Sequence, residues 1–341
     1  MPSDILFSQV MIDAIEKEVV RRGSFFRDKF FPDVRLFPER TGQYDRIDHA
    51  VQKAQFAGYS GSAISRRMGA WDTNFFVFEN CPISRTITAD DLAQRFPGHS
   101  AYDLMDKAPE LQRLSWSELE ADAIYTEELI CVGHLKTGKT TIEDPQGVSK
   151  DLVDNSAEAA IVSGSFNIDL STEGKAVAWL NSLKRLVSVG GTYQGVTLVG
   201  KGASPNLLVV GSTIGDAITK AFSDGRAHAF DGQINPAAAY ADEGISYIGN
   251  IRGLDVYECA DTNLLSEKGA ICGSAGASIM AYGPTYVKTE AGIARIIGRR
   301  SMYSEVSGNP AAVENILQFA PCPVARRPAD NLYVVTTGTI S

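Results

Sequence analysis

Between Ser115 and Thr140 the chain reads SWSELEADAIYTEELICVGHLKTGKT, and its apolar residues return at helical rather than strand spacing. Trp116, Leu119, Ala123 and Ile130 fall on one face, while Glu118, Glu120, Asp122, Glu127 and Glu128 fall mostly on the others. Ser115 with Glu118, and Ser117 with Glu120, have capping-box spacing, in which the hydroxyl accepts a backbone N–H and the carboxylate reaches back to another. These signals predict a helix that starts near Ser115, stops near Gly133 and carries a solvated acidic face.

Directly behind it, Gly133-His134-Leu135-Lys136-Thr137-Gly138-Lys139-Thr140 matches the pattern of a phosphate-binding loop letter for letter. Such a loop works because a strand delivers it and a helix follows, so that backbone N–H groups and a helix N-terminus converge on the phosphates. Here a helix precedes the motif, and Thr140-Thr141-Ile142 followed by Asp144-Pro145-Gln146-Gly147 suits a strand and hairpin turn. No apolar strand ending in a magnesium-binding Asp follows, Phe166-Asn167-Ile168-Asp169 being a weak approach to one. The motif is read as a helix end entering a turn, with a P-loop nucleotide-binding enzyme as the competing class.

Other chemistry finds little support. Five cysteines, an odd number far apart (Cys81, Cys131, Cys259, Cys272, Cys322), suit neither a disulfide framework nor a zinc site, and are read as reduced thiols. Four isolated histidines lack paired metal-ligand spacing. A Cys–His nucleophilic pair stays open as an alternative. No cofactor, metal or catalytic residue is expected. The chain has no apolar run of membrane-spanning length and no signal-peptide pattern at Met1-Pro2-Ser3-Asp4, which leads to the expectation of a cytoplasmic site of synthesis and no membrane partner. A net charge of −9 opposes sequence-independent binding to a phosphate backbone, so a nucleic acid would be met as something to enclose.

A first helix is expected from Ser3 or Asp4 to about Val20. Then Phe25-Phe26 and Phe30-Phe31 stand among charges and prolines. Four rings of this kind either pin a loop to the chain's own core or anchor an arm on a neighbouring subunit. From Arg21 to Arg40 six basic residues stand against three acidic ones, and from Glu110 to Ile130 six acidic against one basic. Complementary patches of that sort could set register between copies, with Glu118 and Asp122 on the acidic side. Residues 43–90 are turn-rich around Tyr59–Ala63 and Met68–Trp71, carry Arg66-Arg67, and then read as strand through Phe75-Phe76 and Ile83–Thr88. A projecting hairpin laid on a partner fits, since a two-stranded ribbon is barely stable alone. The second half reads α/β, with helices at Gly174–Ser188 and Ser204–Phe222, strands at Gly195–Val199 and Ala277–Tyr282, and a hairpin over Ile245–Ile248 and Leu254–Glu258.

This layout resembles the major capsid proteins of tailed bacteriophages, in particular the lambda-type capsid family. Stretches that carry the likeness are Phe25-Phe26-Arg27, Phe30-Phe31-Pro32, Ile279-Met280-Ala281-Tyr282-Gly283, Ser307-Gly308-Asn309-Pro310, Leu317-Gln318-Phe319-Ala320-Pro321 and the final strand Leu332-Tyr333-Val334-Val335. The resemblance spans nearly the whole chain and includes no catalytic signature. It implies an α+β fold of the Hong Kong 97 type: an N-terminal arm at 1–42, an extended loop at 43–90, a peripheral domain with a spine helix at 91–170 and 286–325, and an axial domain at 171–285 and 326–341. It further implies a structural, non-enzymatic subunit that closes with its own copies, as hexamers and pentamers, into an icosahedral shell around double-stranded DNA. Assembly in the host cytoplasm would pass through a procapsid that expands. A separate scaffolding protein, a portal and a decoration protein are the implied partners, and the virion the implied location. Interface candidates are Phe25, Phe26, Phe30, Phe31, Arg66, Arg67, Trp71, Phe75, Phe76, Glu118 and Asp122. An encapsulin-like nanocompartment shell shares the fold and is the alternative architecture.

Overall fold

Three sheets and one long helix share the core among the described residues. The computed structural model describes residues 5–6, 24–47, 71–88, 91, 107–143, 147–199, 203–223, 244–276, 278–289, 292–308, 311–325 and 327–341. Its helices are α1 (Phe25–Phe30), α2 (Lys107–Thr137), α3 (Glu173–Val189) and α4 (Ser212–Ser223).

Helix α2 is longer than its sequence signals suggested, 31 residues, or about 46 Å at 1.5 Å per residue. Ser115 and Ser117 therefore cap nothing. The start is marked by Pro109 in the first turn, where a missing N–H costs no hydrogen bond. The stop is Gly138, at φ +71°, whose N–H donates to the His134 carbonyl at 2.8 Å. A Cβ there would lie 2.5 Å from the Ala159 Cβ, so close approach as well as backbone handedness requires glycine. Gly133, the expected stop, lies inside the last turns.

A four-stranded antiparallel sheet runs in the order Ile5–Leu6, Ser301–Gly308, Ala311–Phe319, Cys81–Thr88. Trp116, Leu119 and Ala123 of α2 pack on its Met302, Leu317 and Phe319. Ser115 belongs to this contact, because Asn315 donates to its hydroxyl at 3.1 Å while accepting from Ser304 at 2.7 Å. Of the helix expected over Ser3–Val20, Ile5–Leu6 is a short strand paired with Tyr303 and Ser304, and residues 7–20 lie outside the described residues.

The six-stranded mixed sheet has the order Ile245–Ile251, Leu254–Cys259, Leu207–Gly211, Gly269–Gly273, Leu332–Thr336, Ala160–Gly164. Strand alternation sends Leu208, Val210, Val256 and Val334 toward α3 and α4, and Leu207, Val209, Tyr257 and Ile271 toward α1 and the end of α2. Both faces are covered, so the central strands are continuously apolar. That explains a correction: the helix expected from Ser204 begins at Ser212, because Leu207–Gly211 is a fully buried strand. Helix α3, the Ile245/Leu254 hairpin and the closing strand fall where expected. The sheet also takes in Ala160–Gly164, which the expected boundary at 170 assigned to the other domain.

A smaller sheet joins Asp33–Leu36, Ser278–Tyr282 and Pro321–Ala325. Trp71–Val77 pairs with Thr41–Ile47, whereas Cys81–Thr88 joins the four-stranded sheet, so the two strands expected to form one hairpin belong to different sheets. Residues 48–70, with Arg66 and Arg67, lie outside the described residues.

His134 locks the end of α2 onto the small sheet. Its Nε2 accepts the Ala325 N–H at 3.3 Å, which makes Nδ1 the donor to the Thr140 hydroxyl at 2.9 Å, and Thr140 donates on to the Pro323 carbonyl at 3.3 Å. Burial pushes the imidazole down to about 4. A folded-state pKa below the unfolded value of about 6.5 contributes stability that is complete above pH 6.5 and lost as pH falls through 4. The unfolding free energy of the subunit should therefore drop by on the order of 3 kcal/mol more between pH 7 and 4 than that of a His134→Gln variant. Parallel pH profiles of the two proteins in denaturant titrations would contradict this.

Candidate functional site

The buried face of α2 carries charge. Trp116, Glu120, Ala123, Glu127, Cys131 and His134 follow one another at steps of three and four, and all are buried. Glu120 and Glu127 therefore lie on the apolar stripe, not on a solvated face, and Glu128 beside them is buried too. They hold two arginines from distant parts of the chain. Arg27 of α1 donates to the Glu127 carboxylate at 2.7 Å. Arg300, just before the four-stranded sheet, pairs with Glu120 and lies 3.3 Å from Glu127. Glu128 accepts the backbone N–H groups of Phe26 (2.8 Å) and Arg27 (2.9 Å), acting as an N-terminal cap for α1 supplied from about a hundred residues away. Ser24 closes the ring, accepting from Arg27 at 2.7 Å and donating to Asp28 at 2.8 Å.

The charges compensate one another. Burial would lower the Arg27 pKa, but Glu127, with Tyr282 and Asp28, holds the guanidinium above its ordinary range. Burial raises the Tyr282 hydroxyl far up, and Glu127 raises it further. Cys131 is pushed up by burial and then by Glu128 and Glu127. With His134 lowered and doubly hydrogen-bonded, Cys131 and His134 do not make an activated thiol and its base.

The expected interface residues separate into groups. Phe25, Phe26, Phe30 and Phe31 are 0–1% exposed and pack with Tyr257, Met280 and Tyr282 under the six-stranded sheet. In this conformation the rings pin the arm to the chain's own core. Phe76 is likewise buried, against Phe37 and Phe78. Phe75, 68% exposed, points out of the ribbon. Trp71 is placed by its backbone alone, opposite Ile47. Glu118 and Asp122 are exposed and both pair with Arg85, at 3.4 and 3.1 Å. Charge complementarity between arm and helix is thus present inside one chain, through Arg27 and Glu127.

The phosphate-loop pattern has the wrong geometry. Gly133 to Thr137 are helical, Gly138 ends the helix, and Lys139 and Thr140 begin the strand Lys139–Glu143, paired with Ser149–Asp154. The Lys139 ammonium lies 2.7 Å from Asp154 and 3.5 Å from Asp151, and the Thr140 hydroxyl is buried against His134. A strand, not a helix N-terminus, follows the motif directly.

The sequence profile described as phage major capsid protein E matches residues 8–331. Among solved structures, a prophage protein of E. coli CFT073 assigned to the capsid superposes with a TM-score of 0.61 at 15% identity, covering 98% of this chain and 100% of that one. A phage-related protein from Bordetella bronchiseptica RB50 gives 0.49 at 8% identity, covering 98% and 97%, and a Mycobacterium phage Che8 chain gives 0.48 at 12%, covering 99% and 94%. No curated protein matches the sequence.

Replacing Glu128 by Ala leaves two N–H groups of α1 in a largely buried site without their acceptor. Denaturant unfolding of the unassembled subunit should register a loss of roughly 2–4 kcal/mol; a change within about 0.5 kcal/mol would remove the cap from the account.

Proposed function

The chain belongs to the phage major capsid protein E family, and on that premise we propose that it is the repeating subunit of an icosahedral head shell enclosing the double-stranded DNA of a tailed phage. The observation that carries this reading is the family match across nearly the whole chain, joined to a fold of the Hong Kong 97 type. Copies of the chain are its principal partners, and the virion is its location. Within this reading the subunit is structural and works without catalysis or cofactor. The burial of Cys131, the engagement of both His134 nitrogens and the ion pairs of Lys139 support that part.

Assembly takes place in the host cytoplasm as a procapsid of hexamers and pentamers, with a scaffolding protein and a portal, and the shell expands as DNA enters. A decoration protein on the outer surface belongs to the same reading. A net charge of −9 suits a wall that holds DNA without adhering to it. For the domain division, the sheet memberships support counting Ala160–Gly164 with the axial domain, and Ser278–Tyr282 with the arm and the peripheral part. The family match favours a viral shell over a cargo-holding nanocompartment.

Negative-stain microscopy of the purified chain tests the reading: shells or capsomer rings are expected, and a monodisperse monomer that binds ATP would overturn it. Lys139→Ala should assemble like the parent and differ from it in no nucleotidase assay. A nucleotidase activity that vanishes with this substitution would restore the phosphate loop.

A further inference from the structure

The hairpin Thr285–Thr289/Gly292–Ile296 has one exposed face. Its register sets Tyr286 opposite Arg295 and Lys288 opposite Ile293, so these four side chains share that face, and all four are exposed. Ile293 is 79% exposed, while Thr285 and Val287 on the reverse face are sealed. Arg295 also donates to the Pro38 carbonyl at 3.1 Å, which ties the hairpin to the segment after the edge strand Asp33–Leu36. On this face cations alternate with large apolar groups.

Helix α2 carries a strip of similar texture and opposite sign. Leu114, Glu118, Asp122, Tyr125 and Leu129 are all exposed, and at 100° per residue they fall within a narrow sector of the helix. Glu118 and Asp122 share the single guanidinium of Arg85, which leaves the strip net acidic. Apolar groups this exposed on a subunit built to associate are candidates for burial, and the matching of sign selects between surfaces.

We propose that the outward face of the 285–296 hairpin docks on the exposed α2 strip of a neighbouring copy. Two different patches then meet head to tail, the type of contact that closes rings or propagates a shell. This rests on the shell reading, and the experiment separates the two. If the parent chain forms no shells or rings, that reading fails on its own.

The test is charge reversal followed by rescue, read as yield of assembled particles by light scattering and microscopy. Lys288→Glu with Arg295→Glu should lower the yield roughly tenfold or more, and so should Glu118→Lys with Asp122→Lys. All four substitutions in one chain should return it to near the parent level. Thermal melts of the unassembled subunits guard against misfolding, and Ile293→Asp, at a site with almost no contacts to lose, should lower assembly without lowering the melt. Normal assembly of the hairpin variants would overturn the proposal. A hairpin defect that the helix reversals fail to relieve would overturn it too, and would assign the face to another occupant such as a separate protein or nucleic acid.

Discussion

Two arginines and three glutamates placed in the interior decide how the parts of this chain are joined. Arg27 comes from the arm, Arg300 from the entrance to the four-stranded sheet, and Glu120, Glu127 and Glu128 from one side of α2. Desolvating such groups costs several kcal/mol each, and ion pairing in a dry site roughly returns it. The cluster is therefore not where net stability originates. Its effect is selective: with either arginine displaced, a buried carboxylate is left uncompensated, so arrangements in which the arm or the sheet slips along the helix are strongly penalised. Apolar contacts alone would tolerate such slippage far better, being non-directional.

Net stability comes from the layers on both sides. The six-stranded sheet is covered on one face by α3 and α4 and on the other by the four arm phenylalanines and the end of α2. Burial of each such ring contributes on the order of 2–3 kcal/mol. The Glu128 cap ties those rings to α2 through backbone hydrogen bonds, so the arm's position depends on the same carboxylates. A little further along α2, His134 does the equivalent, joining helix, hairpin and small sheet through three buried polar contacts. The long helix is thus a spine in a mechanical sense: the four-stranded sheet is fixed to its middle, and the arm, the six-stranded sheet and the small sheet to its last turns. A shell subunit that must transmit load between neighbours has use for such a member.

Elements whose signals are local were legible in the sequence. The apolar period of α3, the strands flanking Arg252-Gly253, and the turn chemistry behind Thr140 all gave their type from nearby residues. Even the disposal of the phosphate-loop pattern needed only the order of elements around it. What failed were readings that required knowing which surface a residue faces. Leu207–Val210 is apolar without alternation, and such a run is helix or buried strand depending on whether both faces are covered. Glu120 and Glu127 stand at the helical period of Trp116 and Ala123, so the sequence did place them on the buried stripe. Carboxylates are usually solvated, and that general tendency points away from the buried stripe. Their compensating partners, Arg27 and Arg300, lie about a hundred or more residues away in opposite directions, and no local pattern connects them.

The membership in a capsid family and the internal architecture meet at one point. A subunit that takes its place among many copies must present the same surfaces each time, and here those surfaces are held by a helix whose attachments are set by buried charge. A double-mutant cycle on Arg27→Met and Glu127→Gln, followed by denaturant unfolding of the unassembled subunit, measures that attachment directly. A coupling energy of about 1.5 kcal/mol or more is predicted, with the double variant less destabilised than the sum of the singles. Additivity within about 0.5 kcal/mol would contradict the account, leaving the arm held by its rings alone.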